Sequence, residues 1–287
     1  MNLTAYLLEH HTAATAAVYE REIVIYTGHC PDAESAVYKD ILNYIGALRS
    51  RYSNPRTLSR IVSSIKAYYG YLCDAGIRTD NPAREIRLRD KISRDIQLQD
   101  LFSEGELEML LNRAERFNNL FYRNKVLMGL LIYQALYPQE IAALTVGDIN
   151  LEAGTVHIKP TAKASGRELS LQPNQVLLFY QYVQEIRPRL LKGGSTDKLL
   201  IGQRGGPMPA ADITKHVIRS CNELYPGRAV NAQTIRQSVI ANLLKRGHSL
   251  NGVQGFAGHK TPSTTERYRQ NEIETLRAAI EQYHPMK

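Results

Sequence analysis

The chain has 287 residues, a formal net charge of +8 and a sequence pI near 9.3, so we expect an anionic partner such as nucleic acid. A hydrophobic content of 43% is normal for a protein with a buried core, and the length favours two domains over one. No apolar run is long enough to span a membrane and no signal peptide is recognisable, so we expect no membrane partner. The 3 cysteines lie far apart without metal-ligand spacing, which argues against a metal site or a disulfide framework and favours a cytoplasmic protein.

Helical spacing of apolar residues predicts an all-helical domain over residues 1–90. The first helix begins at Asn2 or Thr4 and is broken at Gly28–Pro31. A second helix follows, and a third spans Thr57–Ala75, where a glycine ends it.

The third predicted helix and the turn before it carry only positive charges. Between Ser50 and Tyr68 no acidic residue occurs, and Arg56 and Arg60 share a helix face because they are one turn apart. Arginine, lysine and serine on one face are the usual contacts to a nucleic-acid backbone, although a solvated helix face has the same composition. The residues of this domain that we predict to contact DNA are Arg51, Arg56, Arg60 and Lys66.

A linker is predicted at residues 91–102, because the segment from Arg84 to Arg94 is charged, mostly basic and poor in large apolar residues. Ser103 and Glu106 then form a capping box, in which each side chain bonds the backbone N–H of the other residue and a helix begins. The second domain is therefore predicted to span residues 103–287.

The second domain is predicted to be mainly helical with one small antiparallel sheet. Alternating polar and apolar residues at Thr155–Lys159 and Glu168–Leu171 predict two strands. The turn between them, Lys163–Gly166, would put Lys163 near the tip of a β-hairpin. The fold class is thus mainly α, with a helical N-terminal domain and a mixed α/β C-terminal domain.

The stretch Gln233–Tyr268 contains the residues that point to chemistry. It holds an arginine inside an apolar helical pattern, Arg236, a Gly-His pair at Gly258–His259, and an isolated tyrosine. No acidic residue occurs between Glu223 and Glu266, which suits a surface that meets a nucleic-acid backbone, while the simpler interpretation is a solvated basic face. The residues in and before this stretch that we predict to contact DNA are Lys215, Arg219, Lys245 and Lys260.

The order of these features resembles the tyrosine recombinase (phage integrase) family, and most closely its Xer-like branch. The segment AGHKTPSTTERY is similar to the family's Leu-Gly-His-x-x-x-x-Thr-Thr-x-x-Tyr box, and QTIRQSVIANLLKRGHSLNGVQGFAGH to its second-arginine box and the helix that follows. The resemblance covers nearly the whole chain. It implies an N-terminal core-binding domain, a C-terminal catalytic domain, and a reaction that uses no metal and no other cofactor.

In that family a tyrosine attacks a DNA phosphodiester and forms a 3′-phosphotyrosine link. The resemblance implies that Tyr268 is the nucleophile and that Arg236 and His259 bind the scissile phosphate. It also implies that Lys163 is the general acid for the leaving 5′ oxygen, with Lys159 as the alternative.

Two positions depart from the family pattern. Tyr137 stands where the family's first arginine is expected, three residues before the acidic residue of that box, Glu140, and Gln233 stands where a histidine is expected. A tyrosine supplies no permanent positive charge, and losing one such contact typically costs about 10²–10³ in rate. The sequence leaves open which group supplies a replacement cation, and the alternatives are Arg123, Lys159, Arg167 or a neighbouring protomer.

The expected function is site-specific DNA recombination or integration. The resemblance implies a double-stranded DNA partner and a tetramer on DNA, held by docking of the C-terminal helix Ile273–Tyr283 on a neighbouring protomer. The departures at Tyr137 and Gln233 keep a second hypothesis open, a non-catalytic, sequence-specific DNA-binding protein on the same scaffold. A helical protein-interaction module without a nucleic-acid role is a third.

Overall fold

The structure is a computed structural model that describes residues 2–90, 101–115, 120–162, 164–228 and 230–268. Three predicted features lie outside these residues: Lys163, nearly all of the linker 91–102, and the tail helix Ile273–Tyr283. The chain divides into two compact units, residues 1–94 and 95–287.

The first unit contains four helices, α1 Leu3–His10, α2 Ala13–His29, α3 Tyr38–Arg51 and α4 Pro55–Asp74. The single first helix expected from the sequence is wrong, because the chain is extended at His11 and Thr12 before α2 begins. Asn2 accepts from the Ala5 N–H and Thr12 from the Thr15 N–H, so each cap starts a helix of its own.

A group of tyrosines lies at the centre of the first unit. Tyr26 and Tyr69 are fully buried and their hydroxyl groups are 2.6 Å apart, so each phenol has a hydrogen-bond partner inside the core. Pro55 begins α4 after the Asn54 cap, and α4 ends just before Gly76, whose φ of 71° suits the left-handed turn that stops a helix. Ile86 is also buried in this core, so the charged segment after α4 begins as part of the first unit.

The second unit is mostly helical around one long core. Its helices before the sheet are α5 Glu104–Asn112, α6 Phe121–Ile132 and α7 Pro138–Ala143. The predicted capping box begins α5, with the Ser103 N–H donating to Glu106 at 2.7 Å. Helix α6 is buried over nearly its whole length, with Val126, Leu127 and Leu130 at zero exposure, so it is the central helix of the unit.

The sheet has three antiparallel strands in the order β1-β2-β3, with bounds Ile149–Asn150, Thr155–Ile158 and Arg167–Ser170. The predicted hairpin is confirmed, and its register pairs Val156 with Leu169 and Ile158 with Arg167. Val156, Ile158 and Leu169 face the core. Strand β1 was not expected, because two residues are too few for an alternating pattern.

The remaining helices are α8 Pro173–Gln181, α9 Arg187–Leu191, α10 Ala210–Leu224, α11 Ala232–Lys245, α12 Leu250–Ala257 and α13 at 262–268. A π-helical turn, Tyr182–Ile186, joins α8 to α9, and the buried Tyr182 hydroxyl donates to the Leu199 carbonyl at 2.9 Å. Helices α11, α12 and α13 contain the stretch Gln233–Tyr268. Among the described residues no helix is long and apolar enough to cross a bilayer, and no group of three His, Cys, Asp or Glu side chains could hold a metal.

Candidate active site

Arg236 lies in the second turn of α11 and is 1% exposed. Its Nη1 donates to the Ala135 carbonyl, and its Nη2 donates to the Ala257 carbonyl at 2.5 Å. Ala135 has a φ of 49°, a left-handed conformation that a non-glycine residue rarely adopts. The guanidinium is therefore held between the turn before α7 and the end of α12.

The ring of Tyr137 covers one face of this guanidinium, with the Arg236 Cζ atom 4.0 Å from the ring centroid. Such a cation–π contact stabilises a desolvated arginine. Burial lowers the pKa of Arg236, and the neighbouring Tyr137 and Glu140 oppose that shift. Arg236 stays charged, because an arginine pKa begins far above neutral pH.

Glu140 and Arg167 form a buried ion pair beside Arg236. The Arg167 Nη1 and Nη2 atoms donate to the two carboxylate oxygens of Glu140 at 2.8 and 3.1 Å, and the two side chains are 6% and 2% exposed. The same carboxylate accepts the Tyr137 N–H at 2.9 Å, which fixes the first turn of α7. One carboxylate thus joins strand β3 to the turn that carries Tyr137.

Gly258 leaves the space that Arg167 occupies. Its φ is 68°, and a Cβ added there would lie 2.6 Å from the Arg167 Nη1 atom. The glycine of the Gly-His pair is therefore required both by the left-handed turn that ends α12 and by the guanidinium packed against it.

His259 is 7% exposed, and its Nδ1 atom is 2.8 Å from the hydroxyl of the fully buried Thr265. Burial, with a further contribution from Arg236 and Arg167, lowers the pKa of His259 from 6.5 to about 4. The imidazole is therefore neutral near pH 7, and because Thr265 occupies Nδ1, Nε2 is the nitrogen left to meet a ligand.

Tyr268, at the end of α13, is 4% exposed. Its ring is stacked on that of His259 with centroids 6.5 Å apart and an interplanar angle of 11°. It packs with Ile240 and Val253, on α11 and α12. Burial raises the pKa of Tyr268 to about 12, although Arg236 opposes the rise, so the group is a neutral phenol at neutral pH.

Comparison with known proteins identifies this arrangement. Residues 101–274 match the model of the phage integrase family. The chain belongs to this family. Two of its curated relatives carry the name tyrosine recombinase XerD. That of Oceanobacillus iheyensis is 26% identical over 278 residues, which cover 94% of this chain and 92% of the relative. That of Listeria innocua is 22% identical and covers 96% and 93%. The predicted Xer-like branch is thereby confirmed.

Solved structures of the family share the fold. The Tn1549 transposon integrase, in complex with transposon right end DNA, has a TM-score of 0.66 and 16% identity, with 99% of both chains covered. The XerH site-specific recombinase, bound to a palindromic difH substrate, has a TM-score of 0.66 and 20% identity over 85% of this chain and 72% of that one. The predicted fold class, mainly α with a small antiparallel sheet, is confirmed.

The other predicted catalytic positions are less complete. Gln233 lies in the first turn of α11 and is exposed, so its side chain is not part of the buried group. Lys163 lies outside the described residues, but its neighbours reach the site: Ala164 pairs with His259, and the Ser165 N–H donates to the Gly258 carbonyl at 2.9 Å. The hairpin end that carries Lys163 is therefore attached to the Gly-His segment.

The structure separates the residues that the sequence left as alternatives. Lys159 Nζ is 3.3 Å from Asp148, and its side chain is 61% exposed. Arg123 is buried and donates to Asn124, in a separate cavity of about 520 Å³ that it shares with His216. Arg167 alone among these three contacts the group around Arg236. The sequence could not rank it, since its partners lie 27 and 91 positions away along the chain.

The residues predicted to contact DNA are mostly on the surface. Lys245 and Lys260 are exposed, Lys260 directly after His259. On α10, Arg219 is exposed and Lys215 is 3.6 Å from Asp212. In the first unit Arg51 and Arg56 are exposed and Lys66 is half-buried. Arg60 instead forms an ion pair with the buried Glu22 at 3.0 Å, so part of its charge is neutralised within the unit.

Proposed function

We propose that the chain is a site-specific DNA recombinase that uses Tyr268 as its nucleophile and forms a 3′-phosphotyrosine intermediate. The observation that carries the proposal is the buried group in which Arg236, His259 and Tyr268 meet. These residues come from α11, the end of α12 and the end of α13, and their spacing is that of the family box. Membership of the phage integrase family supports the same reaction.

In the proposed reaction the Tyr268 hydroxyl oxygen attacks the scissile phosphorus and loses its proton. The bond from phosphorus to the 5′ oxygen breaks, its electron pair stays on that oxygen, and Lys163 supplies the proton. Arg236 and neutral His259 bind the non-bridging oxygens, where negative charge grows in the transition state. Since the phosphotyrosine conserves the energy of the broken bond, a second DNA end can reverse the step, and no metal or other cofactor is required.

The described arrangement is closed. Arg236 is 1% exposed and Tyr268 is 4% exposed, and the ring of Tyr137 covers the guanidinium. A phosphate can reach Arg236 only after these side chains move. We therefore propose that binding of DNA opens the site before cleavage.

Tyr137 also favours a second candidate function, a DNA-binding protein that does not cleave. Its ring stands over Arg236 at the position where the family has its first arginine, and both terminal nitrogens of Arg236 already donate to backbone carbonyls. A protein of this kind would bind a specific duplex and form no covalent adduct.

The proposed partners are double-stranded DNA and further copies of the chain. Solved relatives were captured on DNA, among them a lambda integrase dimer bound to a core site, with a TM-score of 0.66. We propose a tetramer on DNA, joined by the tail helix Ile273–Tyr283, on the strength of the family resemblance.

Covalent capture tests the proposal. A bound duplex is first selected from a random library with the Tyr268→Phe protein, and a nick is then placed at successive positions so that a cleaved strand cannot be rejoined. We expect the wild-type protein to give a denaturant-resistant protein–DNA adduct and Tyr268→Phe to give none. Sequence-selective binding without an adduct would support the second candidate, and an adduct with Tyr268→Phe would refute the proposed nucleophile.

A further inference from the structure

Two buried guanidinium N–H groups, the Nε atoms of Arg167 and Arg236, have no hydrogen-bond partner among the described residues. Nearly all buried polar groups in folded proteins are paired, and a charged donor is the least tolerated exception. The side chain of Arg167 is 6% exposed and Arg236 is 1% exposed, so solvent does not reach either freely. Two such donors suit an anion that both can contact.

The two guanidinium groups lie against the same short segment. Arg236 Nη2 donates to the carbonyl of Ala257, and Arg167 Nη1 occupies the space beside the next residue, Gly258. The charge of each arginine also acts on His259, whose pKa both lower. The segment Ala257–His259 therefore sets the two cations side by side.

Glu140 leaves one edge of Arg167 available. The carboxylate binds the end of the guanidinium, through Nη1 and Nη2, and the side edge that bears Nε remains. Because this ion pair is buried and bidentate, it fixes the orientation of the group before any ligand arrives. An oxygen of a phosphate can then take the Nε–H without displacing Glu140.

We propose that Arg167, on strand β3, is the second cation of the phosphate clamp and takes the place of the arginine that Tyr137 replaces. The inference rests on the proposed function. Lys159 and Arg123, the other cations of this chain that could have filled the position, are held by Asp148 and Asn124 away from the site. Arg167 thus contacts the scissile phosphate directly, while Glu140 is a positioning residue that acts through it.

The first test compares cleavage of two DNA substrates. One carries the ordinary scissile phosphate, and the other a methylphosphonate, which lacks one negative charge. We expect Arg167→Lys and the double variant Arg167→Ala/Glu140→Gln, which leaves no unpaired carboxylate, to cleave the ordinary substrate at least about 10²-fold more slowly than wild type. The defect should shrink to about 10-fold or less on the methylphosphonate. A structural role predicts the same loss on both substrates, and that result would overturn the proposal. The exposed Arg189→Ala is the matched control and should cleave both like wild type.

The second test does not depend on cleavage. Wild-type protein is titrated with inorganic phosphate while the arginine Nε–H signals are followed by NMR. We expect the signals of Arg167 and Arg236 to shift together, and Arg167→Lys to weaken the response of Arg236. The Arg123 signal, whose Nε already donates to Asn124 at 3.0 Å, should stay in place. A shift of Arg236 alone, or of neither residue, would overturn the proposal even if the wild-type protein forms its DNA adduct. Joint shifts in a protein that forms no adduct would instead sink the proposed function and leave the assignment of Arg167 intact.

Discussion

At the residue scale, the site depends on how one arginine is held. Arg236 is enclosed by the carbonyls of Ala135 and Ala257 and by the ring of Tyr137. These contacts keep a charged group stable at 1% exposure, which a buried cation without partners would not be. They also mean that Tyr137 has a role in the free protein that the family's arginine could not fulfil.

This role predicts a stability difference between two substitutions of Tyr137. Tyr137→Phe keeps the ring over Arg236, so we expect its free energy of unfolding to stay within about 0.5 kcal/mol of wild type. Tyr137→Leu removes the cation–π contact and should lower the free energy of unfolding by about 1–2 kcal/mol. Urea denaturation measures both. Equal losses for the two variants would show that the ring face contributes nothing to holding Arg236.

His259 predicts a dependence of stability on pH. Its pKa is about 4 in the folded protein and 6.5 when exposed, so below pH 6.5 the unfolded state binds a proton that the folded state does not. The stabilisation is complete above pH 6.5 and is lost as the pH falls towards 4. Melting temperatures measured from pH 7 to 4.5 should fall in wild type and fall less steeply in His259→Gln.

Two controls separate His259 from other histidines. Burial also lowers the pKa of His216 to about 4, so His216→Asn should remove its own share of the same decline. The exposed His248→Gln should follow the wild-type curve. If His259→Gln also follows the wild-type curve, His259 is not held neutral by the fold.

Sequence alone identified part of this site. Arg236, His259 and Tyr268 could be found because they lie within one stretch whose spacing is distinctive. Arg167 could only be one alternative among several, because its position depends on Glu140 and on the missing side chain at Gly258. Contacts between distant segments leave no periodic signal in a single sequence.

At the element scale, the end of α12 positions the site. Helix α12 stops in a left-handed turn at Gly258, and the next residues pair with the hairpin end at Ala164 and Ser165. One turn therefore orients His259 and makes room for Arg167.

A pair of glycine substitutions tests that turn. Gly258→Ala should lower the free energy of unfolding by about 1–2 kcal/mol for the left-handed backbone alone, and its Cβ would push Arg167 away, so cleavage should fall sharply as well. Gly255→Ala lies in the same helix with nothing within 4 Å of the added Cβ, so we expect unchanged cleavage and up to about 1 kcal/mol of added stability. Denaturation and adduct formation measure both effects. Normal cleavage by Gly258→Ala would contradict the account of the turn.

Element boundaries show where local signals sufficed. The capping box of Ser103 and Glu106 and the Ala210–Leu224 helix were predicted at their observed positions, because caps and a strong apolar stripe act locally. The break at Thr12 was missed, because apolar spacing continues across it and a side-chain cap decides the outcome.

At the scale of the whole molecule, charge directs the protein to DNA. The net charge of +8 is concentrated in part on exposed lysines of the second unit, including Lys245 and Lys260. Contacts of this kind release counterions from DNA, so their number sets how steeply binding weakens with salt.

The salt dependence of binding gives a prediction for Lys260. If it contacts a phosphate, Lys260→Ala should reduce the slope of log K against log salt by about 0.9. Fluorescence anisotropy with the selected duplex measures the slope. Lys39→Ala, an exposed lysine in the first turn of α3, is the control and should leave the slope unchanged. An unaltered slope for Lys260→Ala would remove this residue from the interface.

The covalent bond itself tests the central claim most directly. The adduct formed with the nicked duplex would be digested with protease and nuclease, and the DNA-linked peptide identified by mass spectrometry. The account predicts a single linked peptide with the nucleotide on Tyr268, joined through a 3′ phosphate. A nucleotide on any other residue, or a wild-type protein that binds its selected duplex tightly and yields no linked peptide, would contradict it.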